Sequence, residues 1–374
     1  MKIVAVLFVV LFFETLFADS VCETKVDIEK ELFIRNPSVI DADIAKSGEF
    51  SFYSVFKKFA QTEDPQQLLF IFEKWLDQWS LNQLESGVPV LSRSSERLRW
   101  IMSNANGQID LERAAFVLDA IIYRPDLIGG KISGRAGEFR FVFNLVDPKL
   151  GNAYPLSLIF EFTLKNEVFH GADTWENAMH SLQQYPWGKS YNSNITSLWK
   201  LIDGRAARLR TNEMFLAPTW DLREFVLDSS GLVRMNALQN NPSLNWSSSP
   251  DSMGLISWVN ENKSYILNAK FILPLRFQTA NALVPNEGFR WLSASGVEAE
   301  VQKAFSMKTC NGCHAGDTQT RFTHIEPRSK KAPVAISEFL KKDLDLRKKL
   351  YEQLLCGETE KASVRIKKLQ GFPH

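Results

Sequence analysis

The sequence predicts an α+β chain, with a mixed helix and strand body over residues 19–289 and a small all-helical module over residues 290–374. Three observations carry this. Apolar residues recur at helical spacing from Leu68 to Trp79, and short aromatic and branched runs bounded by Gly, Pro or Asp fill the middle of the chain. Helical spacing then returns on both sides of Cys310-Asn311-Gly312-Cys313-His314.

With 374 residues and 45% hydrophobic composition, the chain has material for one or two cores. A net charge of +1 gives the whole molecule no electrostatic reason to bind nucleic acid or anionic lipid. The charge is unevenly placed. Residues 301–374 carry 15 Lys and Arg against 8 Asp and Glu, a net +7, which leaves the first 300 residues at −6.

Residues 1–18 read as a signal peptide. Lys2 supplies a positive start, Ile3 to Phe13 is an uninterrupted apolar run, and Leu16-Phe17-Ala18 ends on a small residue. Such a run is too short for a bilayer core, which needs about 20 residues. An uncleaved anchor or a buried first helix is the alternative. No second long apolar run follows, so the mature chain is expected to be periplasmic or secreted, without a membrane span, where disulfides are permitted. Cys22 and Cys356 either pair there, tying the two ends together, or are unrelated thiols.

Asp64-Pro65 opens the first clear helix, because proline is favoured at the first helical position, and Leu68, Leu69, Phe72, Trp75, Leu76 and Trp79 form its core stripe. A second helix is expected from Asp110, with Leu111, Ala115, Leu118 and Ile122 on one face. It should stop at Arg124, before Pro125 and a Gly129-Gly130 turn.

Phe139 to Phe143 and Leu156 to Leu164 read as strands. Glu138, Arg140 and Glu161 sit in or beside them, either as a buried, paired site or as an ion-paired solvent face. Thr174 to Leu182 is a helix whose Met179 and His180 read as core. The turn Tyr185-Pro186-Trp187-Gly188 separates it from a helix over 195–202. Residues 208–216, 222–226 and 232–238 read as strands, the last two as a hairpin. Met253 to Asn260 is a short helix, and Phe271 to Phe277 an edge strand in which Pro274 cannot donate.

The C-x-x-C-H run is the one place where three reactive side chains fall within five residues. Its spacing is the signature of c-type haem attachment. Two thiols three positions apart each add across one vinyl group of the porphyrin, and the adjacent imidazole coordinates iron from the proximal side. The same residues can instead close a redox-active disulfide, or hold zinc with donors from elsewhere. No G-x-S-x-G, H-E-x-x-H or phosphate-loop pattern supports a common hydrolase or nucleotide-binding reading.

Val297, Val301, Ala304 and Phe305 lead helically into the motif, and Ser337 can cap a closing helix that runs to Leu355 and stops at Gly357. Helix, C-x-x-C-H, loop and closing helix resemble the c-type cytochrome fold over roughly residues 290–357. The resemblance implies that the first and last helices pack together against one covalent haem c, with Cys310 and Cys313 as thioether positions and His314 as proximal ligand. The string Phe305 to Arg328, with Ala120 to Leu127 and Gly137 to Arg140, is also similar to a group of exported bacterial proteins, which implies no known activity.

One departure bears on the iron. No methionine follows Met307, so the distal position falls to His324, to a body residue such as Met179, His180, Met214 or Met235, or stays open. Arg321 and Arg328 suit the haem carboxylates, or are surface residues. Lys341, Lys342, Lys348 and Lys349 form the wet face of the last helix, or dock an acidic redox partner.

These readings point first to an exported single-haem electron-transfer protein. The alternatives are a haem-dependent, peroxidase-like oxidoreductase with an open iron position, and a haem-free exported binding protein that holds zinc or a disulfide.

Overall fold

The computed structural model describes residues 22, 24–85, 88–113, 115–128, 135–168, 174–238, 240–247, 252–268, 270–291 and 296–358. The expected signal peptide and the Gly129-Gly130 turn lie outside them. Strand β1 (Phe33–Ile34) precedes the one-turn helices α1 (Pro37–Ile40) and α2 (Asp43–Lys46). Next come α3 (Phe52–Ala60), α4 (Pro65–Ser80), the hairpin β2 (Gln83–Glu85) and β3 (Val88–Val90), and α5 (Glu96–Met102). The long strands β4 (Phe116–Ile128), β5 (Arg135–Val146) and β6 (Ala153–Lys165) follow. Then come α6 (Trp175–His180), α7 (Lys189–Leu201), β7 (Ala207–Glu213), β8 (Trp220–Leu227) and β9 (Val233–Asn236). The chain ends with α8 (Ser252–Glu261), α9 (Lys263–Leu267), β10 (Ala282–Val284), α10 (Ala299–Ser306), α11 (Cys310–Cys313) and α12 (Glu338–Leu355).

The fold is α+β, built on one eight-stranded antiparallel sheet in the order β1-β4-β5-β6-β7-β8-β10, with β9 also paired to β8. Because strand side chains alternate in direction, the sequence writes two different faces onto this sheet. One carries Phe139, Phe141 and Phe143 of β5, Leu158, Phe160 and Phe162 of β6, and Phe225 of β8. Phe52, Phe56 and Phe59 of α3, Trp75 and Trp79 of α4, and Trp199 of α7 pack onto them at ring separations of 4.6–6.4 Å.

The other face carries Arg140, Ser157, Glu161, Arg210, Asn212 and Glu224, all buried or nearly so. It is covered by the segment 310–328 and by α12. The helix is capped by Ser337, whose Oγ accepts from Leu340 N at 3.1 Å, and it is followed by Gly357 in a left-handed conformation. Cys356, just past α12, is disulfide-bonded to Cys22, which joins the two ends of the described chain across 334 residues.

Three expectations are corrected. Residues 116–128 form β4, not the end of a helix. Leu111, Ala115, Leu118 and Ile122 are all buried, but Phe116 to Tyr123 is nearly continuous branched and aromatic sequence buried on both faces, and such a run carries no diagnostic period. Pro125 is tolerated because the β4–β5 register slips between Arg124 and Ile128, where no ladder donor is needed.

Phe271 to Phe277 is not a strand. Its alternation is real, with Phe271, Leu273 and Phe277 buried and Ile272 and Leu275 exposed. However, Leu273 N bonds to Asn240 Oδ1 at 2.8 Å, and residues 275–277 turn as a 3-10 helix. Glu138, Arg140 and Glu161 are not a solvent face, since their side chains are buried and paired with one another.

The C-terminal segment does not pack as the resemblance implies. Helix α10 lies on α9 and sends Val301 and Phe305 into a cluster with Phe271 and Trp291. Helix α12 lies on β4 and α6, with Leu340, Leu344 and Tyr351 in the main core. Among the described residues, no helix is long and apolar enough to cross a membrane.

Candidate functional site

The residues around the C-x-x-C-H turn build it. Thr309 caps α11, its Oγ1 accepting from Gly312 N at 3.0 Å, while Cys313 N and His314 N bond back to Thr309 O and Cys310 O at 2.9 and 3.0 Å. The two residues between the cysteines are structural. Asn311 accepts from Trp291 Nε1 at 2.9 Å, donates Nδ2 to Pro242 O at 2.8 Å, and gives its backbone N–H to Asn241 Oδ1 at 3.1 Å. Gly312 has no space for a side chain, because a Cβ would stand 2.3 Å from Ser306 O and 2.6 Å from Thr309 Oγ1. The turn is thereby fixed.

Both thiols are buried. Burial pushes the Cys310 thiol up to about 11 and raises Cys313 well above the ordinary thiol range, so both are protonated at neutral pH. A thiol in that state is a poor nucleophile, which works against a redox-active pair.

His314 is held from two directions. Its Nδ1 lies 2.6 Å from Phe322 O, and its ring stacks on Trp220 of β8 at 4.9 Å and 23°. Phe322 has a left-handed backbone (φ 69°), which aims that carbonyl and is costly for a bulky residue. Burial lowers His314 to about 4 even though the Phe322 carbonyl favours its charged form, so the ring is neutral at pH 7. His324 stands beside it, with ring centres 4.6 Å apart, Nε2 at 3.6 Å from Cys313 Sγ and Nδ1 at 3.0 Å from Ser337 Oγ. Burial, with His314 and Arg347 nearby, lowers it well below the usual histidine value.

Cys310, His314 and His324 line a cavity whose opposite wall is the charged sheet face and whose third side is α12, through Leu340, Asp343 and Arg347. The cavity encloses about 80 Å³ and opens on one side. Strand register orders the charged wall in rows. Arg140 stands opposite Glu161 and Glu161 opposite Arg208. In the next row are Ile159, Arg210, Glu224 and Asn236, and in the third are Asn144, Ser157, Asn212 and Leu222.

The ion pairs follow the rows. Glu161 Oε1 has Arg140 at 3.1 Å and Arg210 at 3.5 Å, Glu138 also holds Arg140, and Glu224 holds Arg210 at 2.7 Å. On the α12 side, Arg124 pairs with Asp126 at 2.7 Å, and Arg347 reaches Asp343 and, at 3.7 Å, Asp126. Burial opposes ionisation of Glu161, but Arg140, Arg210 and Arg208 outweigh it and hold the carboxyl below its ordinary value. Several polar atoms on this wall still lack a hydrogen bond: Glu161 Oε2, Ser157 Oγ, Asn212 Oδ1 and Arg347 Nε.

No family model, curated protein or solved structure matches this chain. Among the described residues, no three His, Cys, Asp or Glu are gathered into a set able to hold a metal ion by themselves.

Of the residues singled out in the sequence, Cys310, Cys313, His314 and His324 come together and the two arginines do not. Arg321 is exposed, with Glu287 at 4.0 Å. Arg328 is buried elsewhere, bonded to Asp119 at 3.0 Å, Asp41 at 2.9 Å and Leu118 O at 2.8 Å, so it latches the loop after the motif onto β4 and α1. The arginines at the cavity are Arg124, Arg140, Arg210 and Arg347. For Arg124, Arg140 and Arg210 the signal was a charged side chain at every second strand residue, whereas Arg347 lies on α12. Trp220 and Phe322 gave none.

Proposed function

We propose that this is an exported protein carrying one haem c, bonded through Cys310 and Cys313, with His314 as the proximal ligand of its iron. The observation that carries the reading is the 2.6 Å contact between His314 Nδ1 and Phe322 O. A carbonyl only accepts, so the neutral ring keeps its proton on Nδ1 and its basic lone pair on Nε2, the state a metal ligand requires.

The residues fit the group. Cys310 and His314 line one cavity, and burial keeps the imidazole neutral. A porphyrin brings four nitrogens of its own, so one protein donor suffices where three or four would be needed for zinc. The enclosed cavity, about 80 Å³, is smaller than the range of about 300–1,000 Å³ usual for ligand pockets, so a haem would occupy the open side as well. When bound, haem supplies a one-electron iron couple.

The remaining roles belong to the chain. Asn311 and Gly312 set the angle of the turn, Phe322 fixes the imidazole tautomer, and Trp220 holds the ring by stacking. His324, its ring centre 4.6 Å from that of His314, would share the cavity with the group. Met179 and Met235 lie in the main core, and Met214 packs against the cluster that holds Cys310. The C-terminal segment acts in this reading as a haem-holding module built onto the body. Export agrees with the Cys22–Cys356 disulfide, a bond of oxidising compartments.

Electron transfer to an acidic partner is the first use. Lys341, Lys342 and Lys349 are exposed on α12, although Lys341 already pairs with Glu338. The polar cavity favours a second use, small-molecule chemistry at an open iron position. The deciding measurement is haem staining after denaturation, with the intact mass, for protein exported by a haem-attaching host. The parent chain should stain and weigh one haem more than its polypeptide, and Cys310→Ser with Cys313→Ser should abolish both signals. A colourless parent of bare polypeptide mass would falsify the assignment.

A further inference from the structure

We propose that the cavity floor formed by Ser157, Glu161 and Asn212 binds a small neutral molecule rich in N–H or O–H donors, of the class of hydrogen peroxide or hydroxylamine. The site's role rests on the haem reading, since His314 shares the cavity. The binding itself is a property of the polypeptide.

Charge comes first. Each arginine on the cavity wall already has a carboxylate partner, and Glu161 is faced by both Arg140 and Arg210. A carboxylate or phosphate entering this space would find no uncompensated cation, and a cation would meet the arginines. A neutral molecule escapes both costs.

Polarity narrows the class. Setting aside Glu161 Oε1 and Asp343 Oδ2, which lie against arginines, the unmet atoms are two acceptors, Glu161 Oε2 and Asn212 Oδ1, together with the Ser157 hydroxyl and a single donor, Arg347 Nε. All four side chains are more than nine-tenths buried, and all line the cavity. An unmet buried polar atom costs about 1–3 kcal/mol, and such atoms are rare in native interiors. The excess of acceptors calls for a ligand that donates. Ser157 and Asn212 face each other across the β6–β7 pair, so one small molecule can reach both.

Size sets the upper limit. The enclosed 80 Å³ corresponds to about three waters at the roughly 30 Å³ each takes in the liquid. That suits a molecule of two or a few heavy atoms.

Calorimetric titration of the purified full chain at pH 7.5 tests this with hydroxylamine as probe, formate as the anionic control and acetonitrile as a neutral control without strong donors. Hydroxylamine should bind saturably and the two controls should not. Asn212→Leu and Ser157→Ala, each checked for a parental melting transition, should weaken binding about tenfold, the equivalent of about 1.4 kcal/mol. Three outcomes overturn the site: no saturable heat with hydroxylamine, tighter binding of formate, or parental affinity in both variants. Covalent haem is measured on the same samples. Unloaded protein that binds hydroxylamine removes the haem reading alone, and loaded protein that does not bind it removes this site alone.

Discussion

The two faces of the central sheet are both buried, yet opposite chemistry closes them. On one, Phe160 touches the rings of Phe52, Phe56, Phe59 and Phe143 at 5.6–6.4 Å. Its neighbour in sequence, Glu161, points the other way into arginines. The aromatic face gains from area removed from water, about 1.5–3 kcal/mol per large side chain. The charged face starts from a desolvation cost that its ion pairs must offset. The charged face is the one that carries Cys310 and His314 on its cover.

That contrast can be broken by mutation, and the aromatic face should give the larger effect. Phe160→Ala should lower stability by about 3–5 kcal/mol in urea unfolding, through lost transfer energy and a cavity that the surrounding rings cannot fill. Glu161→Leu should cost somewhat less, about 3 kcal/mol, because it leaves Arg140 and Arg210 short of a carboxylate.

The double change Glu161→Leu with Arg140→Met should recover most of that loss. Glu138 keeps Arg135 and Arg208, and Arg210 keeps Glu224, so the local charge balances again. Recovery to within about 1 kcal/mol of the parent would mean that the charged face is kept for something other than stability. A double variant as unstable as Glu161→Leu would erase the proposed difference between the faces.

Much of the aromatic face was legible in the sequence and much of the charged face was not, for a physical reason. The stripe from Leu68 to Trp79 and the run Phe139 to Phe143 are apolar at the period of their element, so periodicity alone orients them. Arg140 and Glu161 have the same alternation, but a charge at every second position fits a wet face as well as a buried ladder. Only register across three strands decides between them. The turn itself was legible down to its ligand candidates, because C-x-x-C-H is local in sequence. Its setting was not. Trp220 lies 94 residues upstream of His314, and the Phe322 carbonyl matters through a backbone conformation that no side-chain pattern announces. Helix α12 was readable from Ser337 to Gly357, whereas its seat on β4 was not, since β4 itself carried a helix-like spacing.

The cover of the charged face offers a smaller perturbation. Replacing Cys22 and Cys356 by serine should cost about 2–4 kcal/mol. Because Cys356 caps α12, the loss should be felt first there. Hydrogen exchange should accelerate in the last turns of α12 while α4, buried under the aromatic face, keeps its protection. Equal loss in both helices would show that the two faces open together and are not separate units.

The smallest effect should come from Ser337, where the cap of α12 and the site meet in one hydroxyl. Its Oγ accepts from Leu340 N at 3.1 Å and lies 3.0 Å from His324 Nδ1. Ser337→Ala removes both contacts and should cost about 1 kcal/mol, the usual value of an N-cap. Ser337→Asn separates them. Its side-chain oxygen can take the Leu340 N–H, so helix stability should return, while the larger amide changes what His324 meets. If thermal melts place Asn beside the parent and Ala below it, the hydroxyl serves mainly to start the helix that covers the charged face. If Asn is as damaging as Ala, the contact with His324 is the stronger of the two, and the helix start is tied directly to the imidazole pair.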